Sequence, residues 1–320
     1  MESVLGIDIA KAKFVTALLT PDGKLRHKSC ANTVAGFEEL ALWLRRHGVT
    51  HVHACLEATG TYGDALATWL HDAGHTVSLV NPAVIRAYAG TQLTRSKTDR
   101  IDADLIARFT ATQQPPPWTP PAREIRELQA LVRRLDALHG MRGQEANRLA
   151  AGVVVADVRT SIEAVLANLD AQIALVTRLI RNHINRHPGL RSQRDLLTTI
   201  PGIGEATAAV LIAELFDKRY ASARQAAAFA GLVPRLLESG TLRGRSRLSK
   251  LGPGRLRKAL YLPALAALRF NPSIRQLRTR LLAAGKPKMV VVGAAMRKLI
   301  HLAYGVLKSG RAYQPTCAHP

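Results

Sequence analysis

The chain has 320 residues, 47% of them hydrophobic, which excludes a disordered chain and allows two or three compact units. Lysine and arginine number 45 against 23 acids, and the net charge of +22 indicates a polyanionic partner, most often nucleic acid. No run of eighteen apolar residues occurs, so we expect no membrane span. Three scattered cysteines favour a reducing, bacterial-type cytoplasm over a disulfide framework.

The first 112 residues alternate between predicted strands and helices. Residues 4–20 have the apolar and β-branched composition of a strand, and TPDGK at 20–24 predicts a hairpin turn to a returning strand. Apolar spacing then predicts a helix over 34–48 and a short strand that ends at Glu57, followed by another helix and strand. This order predicts an α/β unit with a mixed sheet and helices on its faces.

Residues 113–121, QQPPPWTPP, form a predicted boundary, because five prolines in nine residues favour a stiff, extended connector. Apolar residues at three- and four-residue spacing then predict a long helical, coiled-coil region over 122–194. We expect a mostly helical C-terminal unit over 195–310 and a loose tail over 311–320.

Four carboxylates near the N-terminus are candidate metal ligands. Asp8 lies within the first strand, where alternation places it on the face opposite its apolar neighbours, and a buried acid there needs a partner or a metal. Glu57 ends a strand at the carboxyl edge, where α/β sheets present ligand sites. Asp99 and Asp102 share one face of a predicted helix.

Together these four acids predict an RNase H-like arrangement that binds two magnesium ions for phosphodiester chemistry. Taken singly, each acid has an ordinary explanation as a hydrogen-bonded strand acid, a helix cap, or a solvated helix face paired with Arg95 and Arg100. Asp64 and Asp104 are weaker candidates, because Asp104 points to a different side of its helix from the predicted ligands.

Residues 197–215, LTTIPGIGEATAAVLIAEL, predict a helix-hairpin-helix. Gly202 and Gly204 would let backbone N–H groups approach a phosphate at the N-terminus of the second helix. The alternative is a simple turn between helices. We expect sequence-independent binding of the DNA backbone here.

The densest basic stretch lies within residues 231–261, where Glu238 is the only acid between Arg235 and Lys258 and Ser239 follows it. A serine becomes a nucleophile only with help, and arginines can stabilise the charge on an attacked phosphate. Chemistry alone favours a loop serine among passive phosphate contacts, with Ser246 and Ser249 as rivals. The candidate nucleic-acid contacts are Arg235, Arg243, Arg245, Arg247, Lys250, Arg255, Arg257 and Lys258.

Seven short motifs follow one another in an order that resembles the "insertion sequence 110" family of transposases, also called bridge-RNA-guided recombinases. They are GIDIAKAKF, CLEATGTY, SKTDRIDADLIA, IPGIG, AGLVP, ESG and SKLG. The resemblance covers residues 1 to about 305. It departs at Leu251, where the family often has a basic residue.

The resemblance implies a RuvC-like (RNase H-like) N-terminal domain that binds Mg²⁺, and a C-terminal transposase domain with a nucleophilic serine. Motif by motif, the metal ligands fall on Asp8, Glu57, Asp99 and Asp102, and the nucleophile falls on Ser239.

The resemblance also implies donor and target DNA as partners, paired by a structured RNA that the element encodes. It implies homodimers or homotetramers in which the acidic site of one subunit completes the serine site of another. If Asp99 and Asp102 are metal ligands, the nearby Arg95, Lys97 and Arg100 are expected to face the nucleic-acid backbone.

The sequence therefore predicts a site-specific DNA recombinase that forms a covalent link between Ser239 and DNA. One alternative is a RuvC-like endonuclease in which metal-bound water attacks and no covalent step occurs. A second is a non-catalytic nucleic-acid-binding protein.

Overall fold

The computed structural model describes residues 3–58, 60, 62–92, 98–152, 155–216, 220–239 and 242–315, with the backbone alone for residues 236–239 and 242–246. The chain divides into two compact units, Met1–Pro120 (unit 1) and Pro121–Pro320 (unit 2). The division falls within the predicted proline-rich boundary.

A five-stranded mixed sheet forms the centre of unit 1, in the order β3-β2-β1-β4-β5. Its strands are β1 (Val4–Ile9), β2 (Lys13–Leu19), β3 (Leu25–Ala31), β4 (His53–Glu57) and β5 (Thr76–Val80). The first three strands pair antiparallel, and β1, β4 and β5 run parallel. The predicted mixed sheet and the hairpin turn at 20–24 are confirmed.

The prediction of one strand over residues 4–20 is wrong, because the chain turns back between β1 and β2. The backbone N–H of Ala10 donates to the carbonyl of Lys13 at 2.9 Å and closes this tight turn. The exposed turn residues Ala10, Lys11 and Ala12 separate two buried strand segments. Composition alone could not place the turn, since it holds no proline or glycine.

Helices cover both faces of the sheet. They are α1 (Val34–Arg46), α2 (Asp64–Asp72), α3 (Pro82–Thr91) and α4 (Asp99–Gln113). Buried residues of α1 and α2, such as Phe37 and Leu66, share a core with Leu5 and Ile7 of β1. Helix α4 packs on the opposite face.

Gly6 allows α4 to lie directly against β1. A Cβ atom at this position would fall well inside 3.0 Å of the Ala103 carbonyl oxygen and the Ala107 backbone nitrogen. No side chain can therefore separate the helix backbone from the strand at this point.

The proline-rich segment runs along β5, the edge strand of the sheet. The backbone N–H of Trp118 donates to the Val77 carbonyl at 2.6 Å, and the Ser78 hydroxyl lies 2.9 Å from the Pro116 carbonyl. The Trp118 side chain packs against the core beneath α1 and α2. The segment thus covers a strand edge that would otherwise expose unpaired backbone groups.

Unit 2 is mostly helical, as predicted. Its helices are α5 (Arg123–Ala150), α6 (Ala156–Arg186), α7 (Pro188–Thr198), α8 (Glu205–Glu214), α9 (Ala223–Phe229), α10 (Gly254–Phe270), α11 (Pro272–Ala283) and α12 (Lys288–Ser309). The long helices α5 and α6 are antiparallel neighbours, since Arg142 binds Asp170 at 2.6 Å and His183 binds the Glu124 carbonyl at 2.8 Å.

An antiparallel hairpin interrupts the helices of unit 2. It consists of β6 (Pro234–Ser239) and β7 (Leu242–Leu248). The sequence-based expectation for this region contained no strands, so the hairpin corrects it.

Helix α12 is long and apolar enough, by length and composition, to cross a membrane. Half of that apolar window is buried inside unit 2, where Val291, Leu299 and Ala303 join the main hydrophobic core. Arg297 and Lys298 interrupt the apolar sequence in its middle. These features are typical of a core helix.

Candidate active site

Asp8 and Glu57 occupy neighbouring positions on adjacent parallel strands. Ile7 of β1 is in register with Leu56 of β4, so the next residue of each strand comes at the same level. Adjacent strands lie about 4.8 Å apart. Since Ile7 and Leu56 face the core beneath α1 and α2, alternation places Asp8 and Glu57 on the face that α4 covers.

Helix α4 brings the other two predicted ligands to this face. The Thr98 hydroxyl accepts a hydrogen bond from the Ile101 backbone N–H at 3.2 Å, and this N-cap fixes Asp99 as the first helical residue. Asp102 follows in the same first turn. The Lys13 ammonium lies 2.9 Å from the exposed Asp99 carboxylate and holds the pKa of that carboxyl below its ordinary value.

The four carboxylates share a face of the sheet but are not gathered into a cage. Within the described part of the chain, no three histidine, cysteine, aspartate or glutamate side chains lie close enough to hold a metal ion. Carboxylate oxygens are the donors that Mg²⁺ prefers, so the residue types fit the ion. Its binding would require Asp99 to leave Lys13.

Arg100, predicted to face nucleic acid, is held by unit 1 itself. Its guanidinium donates to His27 Nδ1 at 2.8 Å, which leaves the Nε2–H of the neutral ring to donate to Asp104. This chain of contacts ties α4 to β3 and gives Asp104 a partner. Arg95 and Lys97 lie outside the described residues.

Ser239 lies at the tip of the unit 2 hairpin. Its backbone pairs with Leu242, so only two residues connect the strands, and the pairing is irregular between Leu237 and Ser239. The side chains of Ser239, Arg243 and Arg245 lie outside what the structure describes. Arg235 and Arg247 are exposed and directly opposite each other, an arrangement of like charges that disfavours pairing without an anion nearby.

Arg257, another predicted nucleic-acid contact, binds backbone at the base of this hairpin. Its Nη1 donates to the carbonyls of Ala230 and Gly252 at 3.2 and 3.0 Å. Gly252 has φ +123°, and a Cβ there would fall well inside 3.0 Å of the Phe229 carbonyl oxygen. The backbone N–H of Lys250, itself in the left-handed region at φ 54°, donates to the Gly231 carbonyl at 3.2 Å.

Arg255 and Lys258 also have partners within unit 2. Arg255 binds Glu214 of α8 at 2.9 Å, and Lys258 binds Asp136 of α5 at 2.6 Å. Arg255 reaches Asp136 as well, at 3.3 Å. These contacts hold α10, the helix that follows the hairpin, against α5 and α8. The structure therefore shows structural partners for three of the eight cations that the sequence suggested as phosphate contacts.

Where the sequence predicts a helix-hairpin-helix, the structure has α7, a tight turn and α8. Gly202 has φ +107°, and a Cβ there would meet Ala267 and the Pro263 carbonyl of α10 inside 3.0 Å. Gly202 therefore allows the turn to pack closely against α10. Gly204 is exposed at the N-cap of α8, where Glu205 binds Arg181 at 3.2 Å. The negative charge of Glu205 in the first turn disfavours binding of a phosphate at this helix end.

The sequence carries signals for this hairpin besides its basic composition. Arginines alternate at positions 243, 245 and 247, and a period of two is typical of a strand. The Ser239-Gly240 dipeptide marks the turn.

Comparison with known proteins identifies the chain's relatives. Residues 5–155 match the DEDD transposase model of the IS110 group, described as "Transposase", and residues 194–278 match the model described as "Transposase IS116/IS110/IS902 family". The chain is 33% identical to the "Pilin gene-inverting protein" of Moraxella bovis over 98% of both chains. It is 28% identical to the "Transposase for insertion sequence element IS1328" of Yersinia enterocolitica, over 61% of this chain and 65% of that one. The chain therefore belongs to the IS110 family of transposases.

Proposed function

We propose that this transposase is a site-specific DNA recombinase whose Ser239 forms a covalent link to DNA. The observation that supports this most directly is the place of Ser239, at the tip of a hairpin with arginines on both strands. The relative named for pilin gene inversion, similar along nearly the whole chain, supports recombination between defined sites.

The proposed step transfers a phosphoryl group. The Ser239 hydroxyl attacks a DNA phosphorus, an O–P bond forms, and the bond from phosphorus to one deoxyribose oxygen breaks. The serine proton passes to a base, and the leaving deoxyribose oxygen takes up a proton. Attack by a hydroxyl of the recombining strand then reverses these changes and restores the serine. Arg235 and Arg247, opposite each other on the hairpin, would stabilise the charge on the attacked phosphate.

In this proposal Asp8, Glu57, Asp99 and Asp102 hold magnesium, in an RNase H-like (RuvC-like) arrangement. When bound, the ion would neutralise charge on the phosphodiester and orient the strand. Lys13, which contacts Asp99 in the structure, would then be free to contact the nucleic-acid backbone.

The proposal includes donor and target DNA, a structured guide RNA encoded by the element, and an assembly of two or four copies. The family resemblance supports these partners. A guide RNA would select the DNA sequence by base pairing, which would explain why specificity does not require side chains that read base edges.

The decisive experiment traps the covalent adduct between the full-length protein and substrate DNA in the presence of Mg²⁺. We expect the adduct with the wild-type protein and with Ser246→Ala, and none with Ser239→Ala. An adduct that persists in Ser239→Ala would overturn the assignment of the nucleophile.

The same assay distinguishes the covalent mechanism from the endonuclease alternative. That alternative is supported by the position of Asp8 and Glu57 on one face of the sheet. If Ser239→Ala still cuts DNA while Asp8→Asn does not, metal-dependent hydrolysis replaces the covalent mechanism. Tight DNA binding without any strand cleavage would instead support the non-catalytic alternative.

A further inference from the structure

The C-terminal part of the chain is extremely one-sided in charge. The 82 residues after Glu238 contain 17 lysines and arginines and no aspartate or glutamate. Cations in this part can find acids only on earlier elements of the fold. Those that find none mark surfaces where an external anion would be most stabilising.

A basic depression lies between α9 and α12 of unit 2. It has a volume of about 650 Å³ and is lined by Ser222, Ala223, Arg224, Arg297 and His301. These residues were not among the sequence-based candidates. The depression is open to solvent, so a polymer can reach it.

Within the described part of the chain, the cations at this depression have no acidic partner, whereas other cations of unit 2 do. No ion pair or hydrogen bond involves the side chains of Arg224, Arg297 or Lys298 among the residues that the structure describes. Arg255 and Lys258, by contrast, bind Glu214 and Asp136. Like charges held together without a counter-charge repel one another, and an anion between them removes that cost.

His301 adds an unsatisfied polar atom to the same place. Its Nε2 is buried and has no hydrogen-bond partner in the described part of the chain. Burial lowers the pKa of the ring, and the charges of Arg297, Lys298 and Arg224 lower it further. Within the described residues, the ring nitrogen and the nearby guanidinium groups therefore all lack a hydrogen-bond partner, and a phosphate oxygen can accept from the guanidinium groups and from His301 in its Nε2–H tautomer.

We propose that Arg224, Arg297 and His301 bind a phosphate of a nucleic-acid backbone in this depression. The chemistry is charge-assisted hydrogen bonding from two guanidinium groups, which match phosphate geometry better than ammonium groups do. The Ser222 hydroxyl, which accepts from the Gln225 backbone N–H, keeps its own O–H to donate. The inference rests on the proposed function only in taking nucleic acid as the polyanion.

The test measures binding of the full chain to a short labelled DNA duplex and, separately, to a short labelled RNA across a salt titration. The double variant Arg224→Ala/Arg297→Ala should bind about tenfold more weakly at physiological salt, and its log–log salt slope should fall by about one per lost contact. The polymer that loses affinity identifies the source of the phosphate. Arg297→Lys, which keeps the charge, should retain most of the slope.

The control is Arg123→Ala/Arg142→Ala, which changes net charge equally at two exposed arginines that bind Glu127 and Asp170. If the two double variants bind DNA within twofold of each other and also bind RNA within twofold of each other, the depression is not a phosphate site. If the wild type forms the Ser239 adduct normally and only this comparison fails, the proposed function stands without the site. If the wild type binds neither polymer, both proposals fail.

Discussion

The two units of this chain hold their predicted catalytic residues in different ways. In unit 1, Asp8 and Glu57 lie on strands inside a five-stranded sheet, and α4 is seated against that sheet at Gly6. In unit 2, Ser239 lies at the tip of a two-stranded hairpin, and Arg257 binds the backbone at its base.

The difference matters because a two-stranded hairpin has little stability of its own, whereas a covered five-stranded sheet is rigid. A sheet places carboxylates through backbone register and close helix contact. A hairpin needs contacts at its base to fix the direction of its tip. We therefore expect unit 1 to be sensitive to backbone packing, and unit 2 to be sensitive to side chains that bind backbone.

The largest effect is expected from Gly6→Ala. The added Cβ has no room between β1 and α4, so the helix must move and unit 1 should lose about 3 kcal/mol or more of stability. All three tryptophans of the chain, Trp43, Trp69 and Trp118, lie in unit 1, so denaturation followed by tryptophan fluorescence reports on this unit alone. The control Gly90→Ala lies in α3 with open space at its Cβ, and should change stability by under about 1 kcal/mol. Equal stability of both variants would contradict the seating of α4 on Gly6.

The second prediction concerns Arg257→Ala in unit 2. Because Arg257 binds the carbonyls of Ala230 and Gly252, its loss should release the hairpin base and slow adduct formation about 100-fold at saturating DNA. DNA affinity and its salt slope should stay close to those of wild type. The exposed Arg275→Ala on α11 serves as the control. A lower affinity and salt slope with an unchanged rate at saturation would instead show that Arg257 contacts phosphate, as the sequence alone suggested.

Much of the fold could be predicted from local sequence. The turn at residues 20–24, the helix after Val34 and the strand that ends at Glu57 follow from turn chemistry and apolar spacing, which act over a few residues. The turn between β1 and β2 could not be predicted this way, because no glycine or proline marks it. For the hairpin of unit 2, the signals in the sequence are the alternation of arginines and the Ser239-Gly240 dipeptide.

The site was harder to predict than the fold, because a charged residue does not reveal its partner. Arg255 and Lys258 find acids 119 and 122 residues away along the chain, through helix packing that local patterns do not contain. Arg224 and Arg297 are separated in sequence but line one depression, since α9 lies beside α12. Which cations remain available for nucleic acid is therefore a property of the tertiary structure.

Asp136→Asn should produce a smaller effect, confined to unit 2. Asp136 binds both Arg255 and Lys258, and these two cations hold its pKa below the ordinary 3.8. The resulting stability is present above pH 3.8 and is lost as pH falls through the lowered pKa of the folded protein. At neutral pH the variant should lose about 1 kcal/mol, and its further loss on acidification should be smaller than that of wild type. Hydrogen exchange of α10 measures the stability at neutral pH and its change on acidification. If the variant and the wild type lose stability identically as pH falls, Asp136 is not the source of this pH dependence.

The smallest expected effect is in unit 1 and concerns the pH dependence of its stability. The group involved is His75, which follows α2. Burial, followed by the charge of His51, lowers the pKa of His75, and its Nδ1 is buried without a hydrogen-bond partner in the described residues. Because the unfolded chain binds the proton first, this group costs stability as pH falls below 6.5 toward the lowered pKa of the folded state. His75→Gln should remove that dependence, which amounts to about 1 kcal/mol of unfolding free energy at most. Unfolding followed by tryptophan fluorescence at neutral and mildly acidic pH measures it. His71→Gln, a matched change on α2, should leave it in place. If both variants follow the wild-type profile, the acid sensitivity of unit 1 arises elsewhere, and the surroundings of His75 must rearrange to admit the proton.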